Sequence, residues 1–123
     1  ILNVASTAAF VSGPLMAVYY ASKAFVLSFT EAVREEVIGT PLRVTCLCPG
    51  PTATEFAAGA GLEGKPLFRR KVTQACDVAR AGHRGFRRGK LIVVPGLANR
   101  RGAFLVRFSP RSVARKVAKR LQE

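Results

Sequence analysis

Apolar residues in this chain come in two arrangements. Three short runs are nearly unbroken: residues 1–5 (Ile1-Leu2-Asn3-Val4-Ala5), 43–48 (Arg43-Val44-Thr45-Cys46-Leu47-Cys48) and 91–94 (Leu91-Ile92-Val93-Val94). Such runs are too short for buried helices and fit strands buried on both faces of a parallel sheet. Between them the apolar positions recur every three or four residues. Residues 19–38 predict a long helix, with Ala21, Phe25, Ser28, Phe29, Ala32 and Val33 as its inward stripe and Gly39-Thr40-Pro41 as its stop. Residues 73–87 predict a second helix, with Thr73 as N-cap and Gly89 as terminator.

Two stretches predict loops. Residues 6–17 carry Gly13 and Pro14; residues 49–71 carry Gly59, Gly61, Gly64 and Pro66, with room for a short helix near Phe56. Strands alternating with helices imply a parallel α/β sheet. After Pro95-Gly96 the pattern changes to two short helices. One covers about 99–108, and the other opens at Ser109-Pro110 and carries Val113, Val117 and Leu121 on one face. The expected division is 1–96 for the sheet domain and 97–123 for a basic amphipathic helical tail.

Composition narrows the class. Over 123 residues, 49% are apolar, a globular rather than a disordered balance. No apolar stretch is long enough for a membrane span, and no signal peptide is visible. The net charge is +13, but it is not evenly spread: from Arg80 onward there are 13 Lys or Arg and one acid, Glu123. Cys46 and Cys48 alternate along a predicted strand and point to one face. With Cys76 the thiols are three, and no His is near the pair, so reduced, buried thiols in a cytosolic protein fit better than a metal site. His83 reads as a solvated helix residue, and Asp77 as support for a helix start.

The candidate chemistry lies at Tyr19 and Lys23. They stand four residues apart at the start of a predicted helix, so they share a face. A free phenol ionises near pH 10, too high for proton transfer at neutrality, and a neighbouring cation favours the phenolate. Ser6 lies thirteen residues before Tyr19, at the end of the first apolar run. Tyr20 is three residues from Lys23 and breaks the spacing to Ser6, so it reads as a packing or pocket-wall residue.

Ser6, Tyr19-x-x-x-Lys23 and the segment Pro49-Gly50-Pro51-Thr52-Ala53-Thr54 together resemble the short-chain dehydrogenase/reductase family, whose signature has these elements in this order. The resemblance covers nearly the whole chain and is tightest from Ile1 to Phe56. It implies the C-terminal part of a Rossmann-like, doubly wound parallel sheet, about three strands with flanking helices. It also implies an oxidoreductase that interconverts a carbonyl and an alcohol with NAD or NADP. Tyr19 would be the general acid or base, Lys23 its electrostatic partner and a ligand of the nicotinamide ribose, and Ser6 the holder of the substrate oxygen. Tyr19, Lys23, Pro49, Gly50, Thr52 and Thr54 would contact the cofactor.

Two positions depart from the family pattern. Ala5 stands where a Ser is common, and Phe10 stands where a Gly is common; Phe10 is expected to wall the substrate pocket. No glycine-rich nucleotide fingerprint follows a strand, and the family's helix asparagine and cofactor-selecting residue would precede Ile1. The chain is therefore expected to be a fragment, inactive alone, of an enzyme that forms homo-oligomers burying the helix of Tyr19. Its expected location is cytoplasmic.

The tail admits two readings: a solvated helix pair packed on the sheet, or a surface that binds anionic membranes and suits a lipophilic substrate. The rival to an enzyme is accordingly a basic membrane-surface module without catalysis. Nucleic acid is not an expected partner, because no stacking-aromatic motif accompanies the charge.

Overall fold

The computed structural model describes residues 1–55, 59, 66 and 72–123. Strand β1 (Leu2–Val4) pairs in parallel with β2 (Thr45–Leu47), in the register Leu2–Thr45, Asn3–Cys46 and Val4–Leu47. Strands β3 (Thr52–Ala53) and β4 (Thr73–Gln74) form a separate parallel pair. Strand β5 (Ile92–Val93) pairs in parallel with β2, so the main sheet has the order β1-β2-β5. Among the described residues the central strand and its flanks are the most deeply buried: Val44, Thr45, Cys46, Leu47 and Cys48 are all buried.

Alternation along β2 sends its side chains to two different helices. Cys46 and Cys48 share one face with Ala5 and Leu27, and their sulfurs lie 3.7 Å apart. Leu27 belongs to α1 (Ala17–Glu36). Leu47 and Val93 face the other way, against α2 (Ala75–Arg87). Gly82 and Gly85 of α2 let its backbone lie directly on the sheet, because a Cβ at either would overlap Leu47 or Val93. Helices thus cover both faces of a parallel sheet, as the alternation of elements implied. Two more helices follow, α3 (Leu97–Val106) and α4 (Arg111–Gln122).

Several expectations are corrected. The expected inward stripe of α1 lies on its open side: Phe25 and Phe29 are 68% and 51% exposed and stack on each other at 5.9 Å. The residues α1 buries are Tyr20, Leu27 and Thr30. Thr30 is hidden from a hydropathy pattern because its polarity is internally satisfied: its hydroxyl donates to Val26 O (2.6 Å) and accepts from Asn3 Nδ2 (3.0 Å).

Residues 6–17 are not all loop, since Thr7–Phe10 form a 3₁₀ turn. Thr73 does not cap α2; it lies in β4, and Gln74 takes the cap position without a side-chain bond. Ser109 does not cap α4 either. Its hydroxyl donates back to Leu105 O at 3.1 Å, closing the end of α3. Cys76 is exposed, unlike the other two thiols. The loop expected over 49–71, with its short helix near Phe56, falls largely outside the described residues.

Candidate active site

The carboxyl end of β1 positions the first candidate. Beyond Val4 the chain stays in register, with Ala5 N donating to Leu47 O and Thr7 N to Pro49 O, both at 2.8 Å. Ser6 sits between them in extended conformation and starts the 3₁₀ turn, its Oγ accepting from Ala8 N at 3.1 Å. The same oxygen lies 3.4 Å from the carbonyl of Pro49, so the hydroxyl is held between the ends of two adjacent strands.

Helix α1 supplies the other two. Tyr19 and Lys23 lie one turn apart near its start, and Lys23 Nζ is 5.8 Å from the centroid of the Tyr19 ring. Lys23 Nζ also donates to Val4 O at 3.2 Å, which draws the ammonium to the end of β1. Tyr20, the neighbour of Tyr19, lines the same cavity but has a different polar partner. Its ring meets that of Tyr19 edge-on at 5.9 Å, and its hydroxyl accepts a 2.7 Å hydrogen bond from Gln122 Nε2. Burial, partly offset by that hydrogen bond, raises the Tyr20 phenol above its usual pKa, so it stays protonated at neutrality.

Ser6, Tyr19, Lys23, Pro49, Gly50, Thr52 and Thr54 all line one cavity of about 670 Å³. It opens at the carboxyl ends of β1 and β2, where parallel α/β sheets bind their ligands. Thr52 Oγ1 donates to Gly50 O at 2.9 Å, leaving its lone pairs available to accept. Gly50 is packed against the side chain of Asn99, which donates to Pro95 O at 2.8 Å; no larger residue than glycine fits at that turn without displacing Asn99. Among the described residues no group of His, Cys, Asp and Glu is placed to hold a metal.

Three features were not foreseen. Phe10 does not wall this cavity; it packs on the Ala5–Leu27–Cys46–Cys48 core and lines a separate depression. The apolar face of the tail reaches the site: Val113, Val117 and Leu121 line the same cavity as Tyr19. Gln122 was overlooked because one glutamine among the basic residues of a tail carries no sequence signal. Its burial and its bond to Tyr20, 102 residues earlier, come only from the fold.

The family model of the short chain dehydrogenases matches residues 1–63. A short-chain type dehydrogenase/reductase of Picea abies is 35% identical over 77 residues, 56% of this chain and 28% of that protein. A sulfoacetaldehyde reductase of Chromohalobacter salexigens is 48% identical over 56 residues, 46% of this chain and 22% of that protein. Among solved structures, a short-chain dehydrogenase from Sphingobium yanoikuyae in complex with NADPH superposes with a TM-score of 0.71 at 29% identity, covering 85% of this chain and 41% of that one. A 7β-hydroxysteroid dehydrogenase superposes with a TM-score of 0.77 at 25% identity, covering 95% and 46%. A relative from Burkholderia phymatum in complex with NAD gives 0.67 at 25% identity, covering 85% and 45%.

The chain belongs to the short chain dehydrogenase family, and its fold is the Rossmann-like parallel α/β of that family. It spans less than half the length of these relatives.

Proposed function

We propose that this chain carries the proton-transfer centre of an NAD(P)(H)-dependent oxidoreductase that interconverts a carbonyl compound and an alcohol. The observation that carries this reading is the convergence of Ser6, Tyr19 and Lys23 on one cavity at the strand ends. In the reducing direction Tyr19 gives its hydroxyl proton to the substrate oxygen; in the oxidising direction it takes that proton back. Lys23 stabilises the phenolate left behind, from a position fixed by its bond to Val4 O. Ser6 Oγ donates to the substrate oxygen as negative charge develops there, exchanging its long contact with Pro49 O for a better one.

The residues present suit a nicotinamide. Lys23 has two N–H donors beyond the one used on Val4 O, enough for vicinal ribose hydroxyls. Thr52 and Thr54 line the cavity beside the Pro49–Gly50 turn, and their hydroxyls would bind the carboxamide. When bound, the cofactor supplies or accepts the hydride at the substrate carbon. Similar structures hold NADPH, NADP or NAD, which supports a nicotinamide without choosing between them. The exposed, stacked Phe25–Phe29 pair supports a homo-oligomer in which α1 meets a second copy.

A second reading, a basic module on anionic membrane surfaces, is favoured by α3 and the residues after it. Leu97, Phe104, Leu105 and Phe108 are exposed beside Arg100, Arg101 and Arg107. No described helix is long and apolar enough to cross a membrane.

The two readings separate in one experiment on a form of the protein extended to the length of its relatives. Oxidation of NADH or NADPH is followed with a panel of ketones, beside co-sedimentation with phosphatidylserine vesicles at low and high salt. Ketone-dependent oxidation is expected. Salt-sensitive vesicle binding with no oxidation for any ketone would favour the membrane module instead.

A further inference from the structure

Helix α3 is amphipathic in the wrong sense for a helix in water. Its inward face carries Asn99, which packs on Gly50, and Gly102 and Val106, which line the catalytic cavity. Its largest apolar residues face out. Leu97, Phe104 and Leu105 are 61%, 59% and 61% exposed, and Phe108, just past the helix end, is 73% exposed. Phe104 and Phe108 meet edge-on at 5.0 Å, so they form one ridge. Exposed Arg100, Arg101 and Arg107 stand among these residues. A face covered by protein would not carry three guanidinium groups between its apolar side chains. An anionic lipid surface suits both kinds of residue, taking the rings at its acyl boundary and the cations at its phosphates.

Beside the ridge lies a second depression, of about 540 Å³, between residues 9–14, the first turns of α1 and the junction of α3 with α4. Arg107 and Arg111 stand on its wall with Ser12 and Ser109, and no acidic side chain lines it. The ion pairs Asp77–Arg80 and Lys119–Glu123 use neither arginine. Two guanidinium forks in a hollow without a counter-charge match the oxygens of a phosphate group. Tyr20, Val106 and Ser109 line this hollow and the catalytic cavity alike, so the two sit back to back.

We propose that the depression is a seat for the headgroup phosphate of an anionic phospholipid, with Arg107 and Arg111 on the phosphate and Phe104 and Phe108 at the acyl boundary. The charge of the chain favours the same partner: from Arg80 onward it has 13 Lys or Arg and one acid. Helix α3 meets lipid with one face and lines the catalytic cavity with the other, so docking and turnover belong to one protein. The proposal goes beyond the oxidoreductase reading and does not rest on it.

The test is co-sedimentation of a form extended to the relatives' length with vesicles of phosphatidylcholine, alone or mixed with phosphatidylglycerol. Binding to the mixed vesicles is expected, weaker at high salt, with none to phosphatidylcholine alone. Arg107→Gln with Arg111→Gln is expected to raise the vesicle Kd at least about tenfold. Phe104→Ser with Phe108→Ser is expected to raise it about as much. Arg84→Gln with Arg88→Gln removes the same charge elsewhere and is expected to change the Kd less than about twofold. All six positions are exposed, so the substitutions leave the core untouched. Equal losses from the two arginine pairs overturn the seat in favour of diffuse charge. Absence of vesicle binding by the extended form overturns it in favour of a protein cover over α3. Saturable binding of glycerol 3-phosphate alone, insensitive to the phenylalanine pair, assigns the arginines to a soluble phosphate ester and overturns the lipid. Vesicle binding in the expected pattern with no ketone-dependent oxidation of NAD(P)H leaves the seat standing and overturns the oxidoreductase reading.

Discussion

Lys23 Nζ donates a 3.2 Å hydrogen bond to the carbonyl oxygen of Val4, the last residue of β1. The bond ties the first turns of α1 to the end of the strand that leads into Ser6. Without it, a flexible four-carbon stem would have to be ordered when the ligand binds, at a cost in side-chain entropy. The ammonium is instead placed in advance, 5.8 Å from the Tyr19 ring.

Lys23→Met keeps most of the stem and removes the charge and all three donors. In a form extended to the relatives' length, kcat/KM is expected to fall by about 10²–10⁴, with a higher Kd for NAD(P)H. Steady-state kinetics and a cofactor fluorescence titration measure the two effects. A loss of cofactor affinity with unchanged kcat would mean that Lys23 binds but does not assist proton transfer.

The seat of α2 on the sheet predicts a stability effect. A Cβ on Gly85 would overlap Val93, in the short strand that pairs with β2. Gly85→Ala is expected to destabilise the protein by about 1–3 kcal/mol through overpacking, despite alanine's better helix propensity. Urea unfolding reads this as a lower midpoint. A midpoint equal to or above wild type would show that the helix shifts freely.

The thiols are expected to divide. Cys46 and Cys48 are buried with their sulfurs 3.7 Å apart, and Cys76 is exposed. The contact with Cys46, together with burial, pushes the Cys48 thiol well above its usual range. A disulfide-exchange reagent should therefore modify one thiol quickly in the native protein and all three only after denaturation. Fast modification of two or three would mean that the face of β2 against α1 opens readily.

The strands of the main sheet and the helices were legible because local punctuation brackets them; the β3–β4 pair was not, since Thr52–Ala53 and Thr73–Gln74 are two residues each and carry no apolar run. Gly39 and Gly89 adopt positive φ at helix ends, and Pro49 and Pro95 end the strands that run into them. The face of α1 was misread because hydropathy does not distinguish a core stripe from one left for another surface. Phe25 and Phe29 looked like core, while the buried Thr30 looked like surface. The candidate site was legible as spacing, since Ser6, Tyr19 and Lys23 are held by one strand end and one helix turn. The part of the cavity lined by α4 was not, because the contact between Gln122 and Tyr20 spans 102 residues and depends on where α4 comes to rest.

The central claim is that Tyr19 moves the proton. Tyr19→Phe removes one oxygen and leaves the ring, its edge-on contact with Tyr20 and the cation beside it in place. In a form extended to the relatives' length, its kcat for a ketone that the wild type reduces is expected to fall at least about 10²-fold, with the Kd for NAD(P)H unchanged. Turnover equal to wild type with the cofactor bound would contradict the account.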